Sequence, residues 1–77
     1  NPFNPSTMIL YDVPKEAHVK IVVYNTLGQE VETLVNDTRP AGTYGVSFNT
    51  TTLPSGVYFY RLESNSYAET RKMILMR

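Results

Sequence analysis

Turn residues punctuate the chain almost from end to end: Pro14, Gly28, Pro40 with Gly42, Pro54 with Gly56, and Asn65-Ser66. Proline removes a backbone donor and fixes φ, and glycine supplies backbone angles that other residues avoid, so few windows are long enough to carry a helix. Between these marks the chain is rich in valine, isoleucine, threonine, tyrosine and phenylalanine, which suit a pleated, half-buried surface. Turns at intervals of about 8–12 residues, with alternating segments between them, predict an all-β antiparallel sandwich of about six to seven short strands.

The faces of these strands can be read by alternation. "STMILYDV" (Ser6–Val13) points Ile9, Tyr11 and Val13 inward and stops at Pro14. "HVKIVVYN" (His18–Asn25) puts Val19, Ile21 and Val23 on one face and Lys20, Val22 and Tyr24 on the other. The second face is not properly polar, so this strand is expected to be central and partly covered on both sides. In "NTLGQE", Gly28 suits a left-handed position in a hairpin loop. "QEVETLV" (Gln29–Val35) is the returning strand, and "NDTRPAG" (Asn36–Gly42) reads as a longer loop. Leu27, Val31, Leu34 and Val35 fall at helical spacing, but the window is short and its β-branched residues favour a strand.

Further on, "TYGVSFN" directs Tyr44, Val46 and Phe48 inward, and "TTTLPSG" (Thr50–Gly56) is a crossing loop. "VYFYRLES" and "YAETRKMILMR" form a last hairpin about Asn65-Ser66, with Tyr58, Tyr60, Leu62, Met73 and Leu75 inward.

At 77 residues the chain is one domain near the lower limit for an unassisted core. Residues 1–7 are an Asn/Pro-rich lead-in and 8–77 the β-sandwich. With no cysteine, disulfides and thiolate metal sites are excluded as staples. Seven basic residues balance seven acidic ones for a net charge of +0, which argues against the clustered positive footprint that nucleic acid requires. No apolar run approaches the roughly 20 residues of a membrane helix. No signal peptide opens the chain, which leaves two readings, a cytoplasmic chain or a piece of a larger exported protein.

Reactive groups are few. His18 is the single histidine, and the serines at 6, 47, 55, 64 and 66 lie in turns or on strands, outside any nucleophile-elbow context. His18 is therefore expected to face solvent at a strand start. Glu30 and Glu32 are the closest same-face carboxylates, which on a strand make a wet edge more often than a catalytic dyad. Asn36, Asp37 and Thr38 supply too few oxygens for a calcium loop. The sequons at Asn36 and Asn49 are common by chance. No metal and no cofactor is expected. Four of the six tyrosines alternate inward, leaving Tyr24 and Tyr67 as candidates for a surface platform.

The end of the chain, "TRKMILMR", sets Arg71, Lys72 and Arg77 around the apolar run Met73–Met76. By physics alone this is an edge strand with charged gatekeepers. Read functionally, it is a recognition strand, with basic ends for register and Ile74 and Met76 facing outward for a partner.

Five segments in order decide between these readings: "NPFNPST" (1–7), "VYNTLGQEVETLV" (23–35), "AGTY" (41–44), "LPSGVYFYRLE" (53–63) and "TRKMILMR" (70–77). Across nearly its full length the chain resembles the type A C-terminal sorting domain of the type IX secretion system of Bacteroidota and related bacteria. It differs in lacking the few residues, often Tyr-Pro, that usually precede the first asparagine, as a fragment cut at the motif would.

The resemblance implies an immunoglobulin-like antiparallel β-sandwich that acts as a non-catalytic address for an upstream cargo domain. Such cargo crosses the periplasm and reaches the cell surface or the medium through the type IX translocon. The translocon and its shuttle protein read the tail, and a cell-surface sortase commonly removes it and can attach the cargo to anionic lipopolysaccharide. The resemblance carries over Asn1, Pro2, Asn4 and Pro5 as the opening motif, Gly28 in the hairpin, and Gly56, Tyr58 and Arg61 in the glycine-x-tyrosine strand. These are read first as fold residues. Arg71, Lys72, Ile74, Met76 and Arg77 carry the recognition. An alternative from another class is an accessory spacer module of a secreted enzyme, touching glycans through Tyr24 or Tyr67.

Overall fold

A computed structural model of the chain describes residues 6–65 and 67–76. Six antiparallel strands follow one another: β1 (Ser6–Val13), β2 (Ala17–Tyr24), β3 (Glu30–Arg39), β4 (Gly42–Asn49), β5 (Gly56–Ser64) and β6 (Tyr67–Leu75). They form two sheets, a four-stranded one in the order β3-β2-β5-β6 and a two-stranded one of β1 and β4. The fold is a small antiparallel β-sandwich. Asn1, Pro2, Asn4 and Pro5 of the opening motif, Ser66 of the last turn and Arg77 lie outside the described residues.

Alternation places the core. Val19, Ile21 and Val23 of β2 are fully buried, with Ile9, Tyr11 and Val13 of β1 and Phe48 of β4 packed over the same interior. One cluster gathers Tyr11, Val13, Ala17, Val19, Ile21 and Val35, and the second Val23, Phe48 and Tyr58. Tyr60, Leu62, Met73 and Leu75 pack against these clusters from β5 and β6, as their spacing predicts. Val22, on the other face of β2, is only 2% exposed. Its neighbours across the sheet are Arg61 of β5 and Thr33 of β3, so the central strand is covered on both sides.

Residues 29–42 depart from the sequence expectation. The segment 36–39, expected in a loop, continues β3 to Arg39 and pairs with the start of β2: Ala17 opposite Arg39, His18 opposite Thr38, Lys20 opposite Asn36. The apolar residues of β3 follow no period of two, because the register against β2 shifts twice, between Ile21 and Val22 and between Val23 and Tyr24. Those shifts leave Leu34 and Val31 as extra residues of two β-bulges. With the bulges, Val31, Leu34 and Val35 all reach the core despite their helical spacing. The same irregularity undoes the expected same-face pair of carboxylates: Glu32 lies opposite Val23 and Glu30 opposite Tyr24, residues of opposite faces.

The turns are held by their own side chains. Asn25 Oδ1 accepts from the backbone N–H groups of Leu27 and Gln29, and its amide donates to Gln29 Oε1. Gly28 sits at φ +80° in this loop, the left-handed position expected of it. Two later corners repeat one another fourteen positions apart as Pro-x-Gly-x-Tyr. Tyr44 donates to the Pro40 carbonyl at 2.6 Å and Tyr58 to the Pro54 carbonyl at 2.8 Å. Each tyrosine thereby ties the start of an inward-facing strand to the loop that delivers it.

Candidate recognition surface

β6 is an outer strand of the four-stranded sheet, bonded to β5 alone. Its pairing with β5 runs without a register shift from Gly56 opposite Leu75 to Ser64 opposite Tyr67. Alternation then divides its side chains between the two faces of the sheet. Tyr67, Glu69, Arg71, Met73 and Leu75 share the inner face with Tyr58, Tyr60 and Leu62, while Lys72 and Ile74 share the outer face with Phe59 and Val57.

The outer face gathers an apolar patch with a basic border. Val57 lies directly opposite Ile74, Phe59 opposite Lys72, and Tyr24 opposite Phe59 on its other side. Ile74 is 63% exposed and Met76 80% exposed. Ile74 thus stands in solvent beside half-buried Val57 and Phe59 and the Lys72 ammonium. Of the recognition residues read from the sequence, Lys72 and Ile74 meet here. Met76 lies just past the end of the strand, and Arg71 points to the opposite face. Val57 and Phe59 were missed, although the parity that sends Tyr58 and Tyr60 inward sends these two outward.

On the inner face the two-stranded sheet stops short of β6. A groove of about 720 Å³ remains, lined by Ile9, Tyr11, Leu62, Tyr67, Glu69 and Arg71 among others. Tyr67 donates to Glu69 Oε1 at 2.8 Å, and Arg71 Nη2 lies 2.6 Å from Glu69 Oε2. The phenol hydrogen bond, helped by the guanidinium, holds the Glu69 carboxyl below its usual range, and the same bond lifts the Tyr67 phenol. Tyr67 and Tyr24 lie on opposite faces, so they do not form one platform.

The other motif residues have structural partners. Tyr58 is buried, with its hydroxyl on the Pro54 carbonyl. Gly56 precedes it at φ +152°, an angle that strains any side-chain-bearing residue. Arg61 donates to Glu63 Oε2 at 2.7 Å on the outer face, a bond that depresses the Glu63 carboxyl. His18 is exposed and bonded through Nε2 to Asn36 Oδ1 at 2.8 Å. Among the described residues no group of three or more acidic, histidine or cysteine side chains is placed to hold a metal ion. No helix among them is long and apolar enough to cross a membrane.

A family model described as a secretion system C-terminal sorting domain matches residues 1–76. No curated protein and no solved structure matches the chain.

Proposed function

Because the chain belongs to the secretion system C-terminal sorting domain family, it is a sorting signal for type IX secretion, and we propose that its address is written on the outer face of β6 and the residues just after it. Membership implies a cargo linked to the domain and export of that cargo across the outer membrane. Domains of this family are in general non-catalytic, and the cargo supplies whatever activity the whole protein has.

The observation that carries the proposal is the patch of Val57, Phe59, Ile74 and Lys72, continued by Met76 beyond the strand. A receptor needs a feature that survives folding, and a side-chain pattern on an outer strand is displayed without local unfolding. Ile74 and Met76 supply apolar area, and Lys72 and Arg77 set register by charge, with Arg71 contributing from the opposite face of the strand. Gly56, Tyr58 and Arg61 hold β5, against which β6 is laid, so their part in recognition is indirect. Asn1, Pro2, Asn4 and Pro5 mark where cargo ends and the domain begins, although the lead-in read as residues 1–7 is shorter by two, since β1 already starts at Ser6. The readers are the translocon and its shuttle protein. A cell-surface sortase then removes the domain and attaches the cargo to the surface.

The test is a reporter fused ahead of the chain and expressed in a type IX-competent bacterium. Removing residues 72–77, or the pair Ile74→Asp and Met76→Asp, is expected to strand a folded reporter in the periplasm. Surface labelling and cell fractionation read the outcome. A reporter that still reaches the surface with both apolar residues replaced would overturn the assignment to this patch. Mass spectrometry of the surface form, expected to lack the domain, tests the sortase step.

A further inference from the structure

The free edge of β6 has a property beyond its side-chain patch. An outer strand presents unpaired N–H and C=O groups that another strand can bond, and the side chains along this edge decide which strand fits. We propose that β6 pairs with β6 of a second copy of this chain, antiparallel and centred on Thr70, as a weak homodimer that joins two four-stranded sheets into one of eight.

Charge complementarity selects this register. With the two-fold axis through Thr70, Glu69 faces Arg71 of the partner subunit and Arg71 faces Glu69 of the partner subunit. Both pairs lie on the inner face, where opposite charges directly across a strand pair attract. Tyr67 then faces Met73 of the partner subunit, and Thr70 faces its own copy. Shifting the centre to Glu69, Arg71 or Lys72 sets like charges directly against each other. Among the described residues and the registers that keep the two inner faces on one side, the Thr70 register alone opposes unlike charges.

The rest of the fold makes room at this edge and at no other edge of the large sheet. The inner-face side chains Tyr67, Glu69 and Arg71 border an open groove between β1 and β6, so β1 does not cover them. The opposite edge, β3, is bulged twice and carries Glu30, Glu32 and Asp37, so self-pairing there meets an irregular, acid-rich strand. A symmetric pairing of two β1 strands would drive the two large sheets into one another, since each extends beyond β1 as far as β6.

A pairing of so few residues buries well under the roughly 1,200 Å² of a stable complex, so the dimer belongs to the weak, transient class. Sedimentation velocity on the chain, from about 20 μM to about 1 mM, is expected to show a concentration-dependent rise to the dimer mass. Glu69→Arg alone and Arg71→Glu alone each set like charges across the axis and are expected to weaken association about tenfold. The double variant Glu69→Arg with Arg71→Glu restores opposite charges and is expected to return within about threefold of the parent. Both positions lie at the sheet edge with their side chains reaching solvent, and far-ultraviolet circular dichroism checks that each variant is folded. A chain that stays monomeric at about 1 mM overturns the proposal. So does a dimer insensitive to the single reversals, or a double variant no better than the singles. The readout is mass in solution, so it stands or falls apart from the sorting role.

Discussion

β3 and β6 bound the same sheet, each bonded on one side only, and they treat exposure in opposite ways. β3 bends. Two bulges interrupt its ladder with β2, its three core-facing residues crowd inward at irregular spacing, and acids occupy much of what remains. β6 runs straight. It pairs with β5 over nine residues without a shift and leaves Ile74 in solvent. A bulged, charged edge resists a further strand, whereas a regular edge with unfilled apolar positions invites one. The difference separates an edge built for the fold from an edge free for a partner.

The contrast breaks most completely if β3 loses a bulge. Deleting Leu34 removes the extra residue between Thr33 and Val35, so Thr33 can stay opposite Val22 in a regular ladder while the core loses the leucine side chain. Losing a core-facing leucine leaves a cavity, and losing the bulge removes the local bend of the strand. Destabilisation of about 3 kcal/mol or more is expected, read as loss of the cooperative urea transition. An unchanged transition would mean that neither Leu34 nor its bulge contributes to the fold.

A gentler pair of substitutions sharpens the same contrast. Val35 is 5% exposed and Ile74 63% exposed, so truncating each to alanine removes similar atoms from opposite environments. Val35→Ala leaves a cavity and is expected to cost about 2 kcal/mol, whereas Ile74→Ala should stay within about 0.5 kcal/mol. Secretion of a fused reporter is expected to rank them in reverse, with Ile74→Ala the more damaging at a temperature where both are folded. If both effects follow stability alone, the outer face of β6 has no role of its own.

The two edges were also unequally legible in the sequence. For β6, a period of two and the turn at Asn65-Ser66 were enough to place Met73 and Leu75 inside and Ile74 outside. For β3 the period failed, because Val31, Leu34 and Val35 stand at spacings of three and one, and bulge positions depend on the partner strand. Extending β3 through Asn36 and Asp37, both poor strand formers, took the pairing with β2, which no local propensity encodes. The candidate surface was half legible for a similar reason. Ile74 and Lys72 follow from the last hairpin, but Tyr24 reaches Phe59 only through the β2–β5 pairing, across more than thirty residues of chain. The corners at Tyr44 and Tyr58 share one Pro-x-Gly-x-Tyr pattern, which is written in the sequence.

The smallest expected effect lies on β6 and depends on pH. The Tyr67 hydroxyl, with the Arg71 guanidinium in support, holds the Glu69 carboxyl below its ordinary range. A carboxyl whose folded value lies below its unfolded one contributes stability that is complete above the unfolded value. That contribution is lost as pH falls through the lowered folded value. All three groups are at the surface, where solvent screens such pairs, so the contribution is small. Urea midpoints followed from about pH 6 to about pH 3, across the ordinary glutamate range, are expected to fall slightly less in Glu69→Gln than in the parent. Because the regular strand makes few demands on its own side chains, this change should leave the cooperativity of unfolding untouched. A Glu69→Gln variant that instead lost the cooperative transition at about pH 6 would show that β6 depends on its charges for the fold, as β3 depends on its bulges.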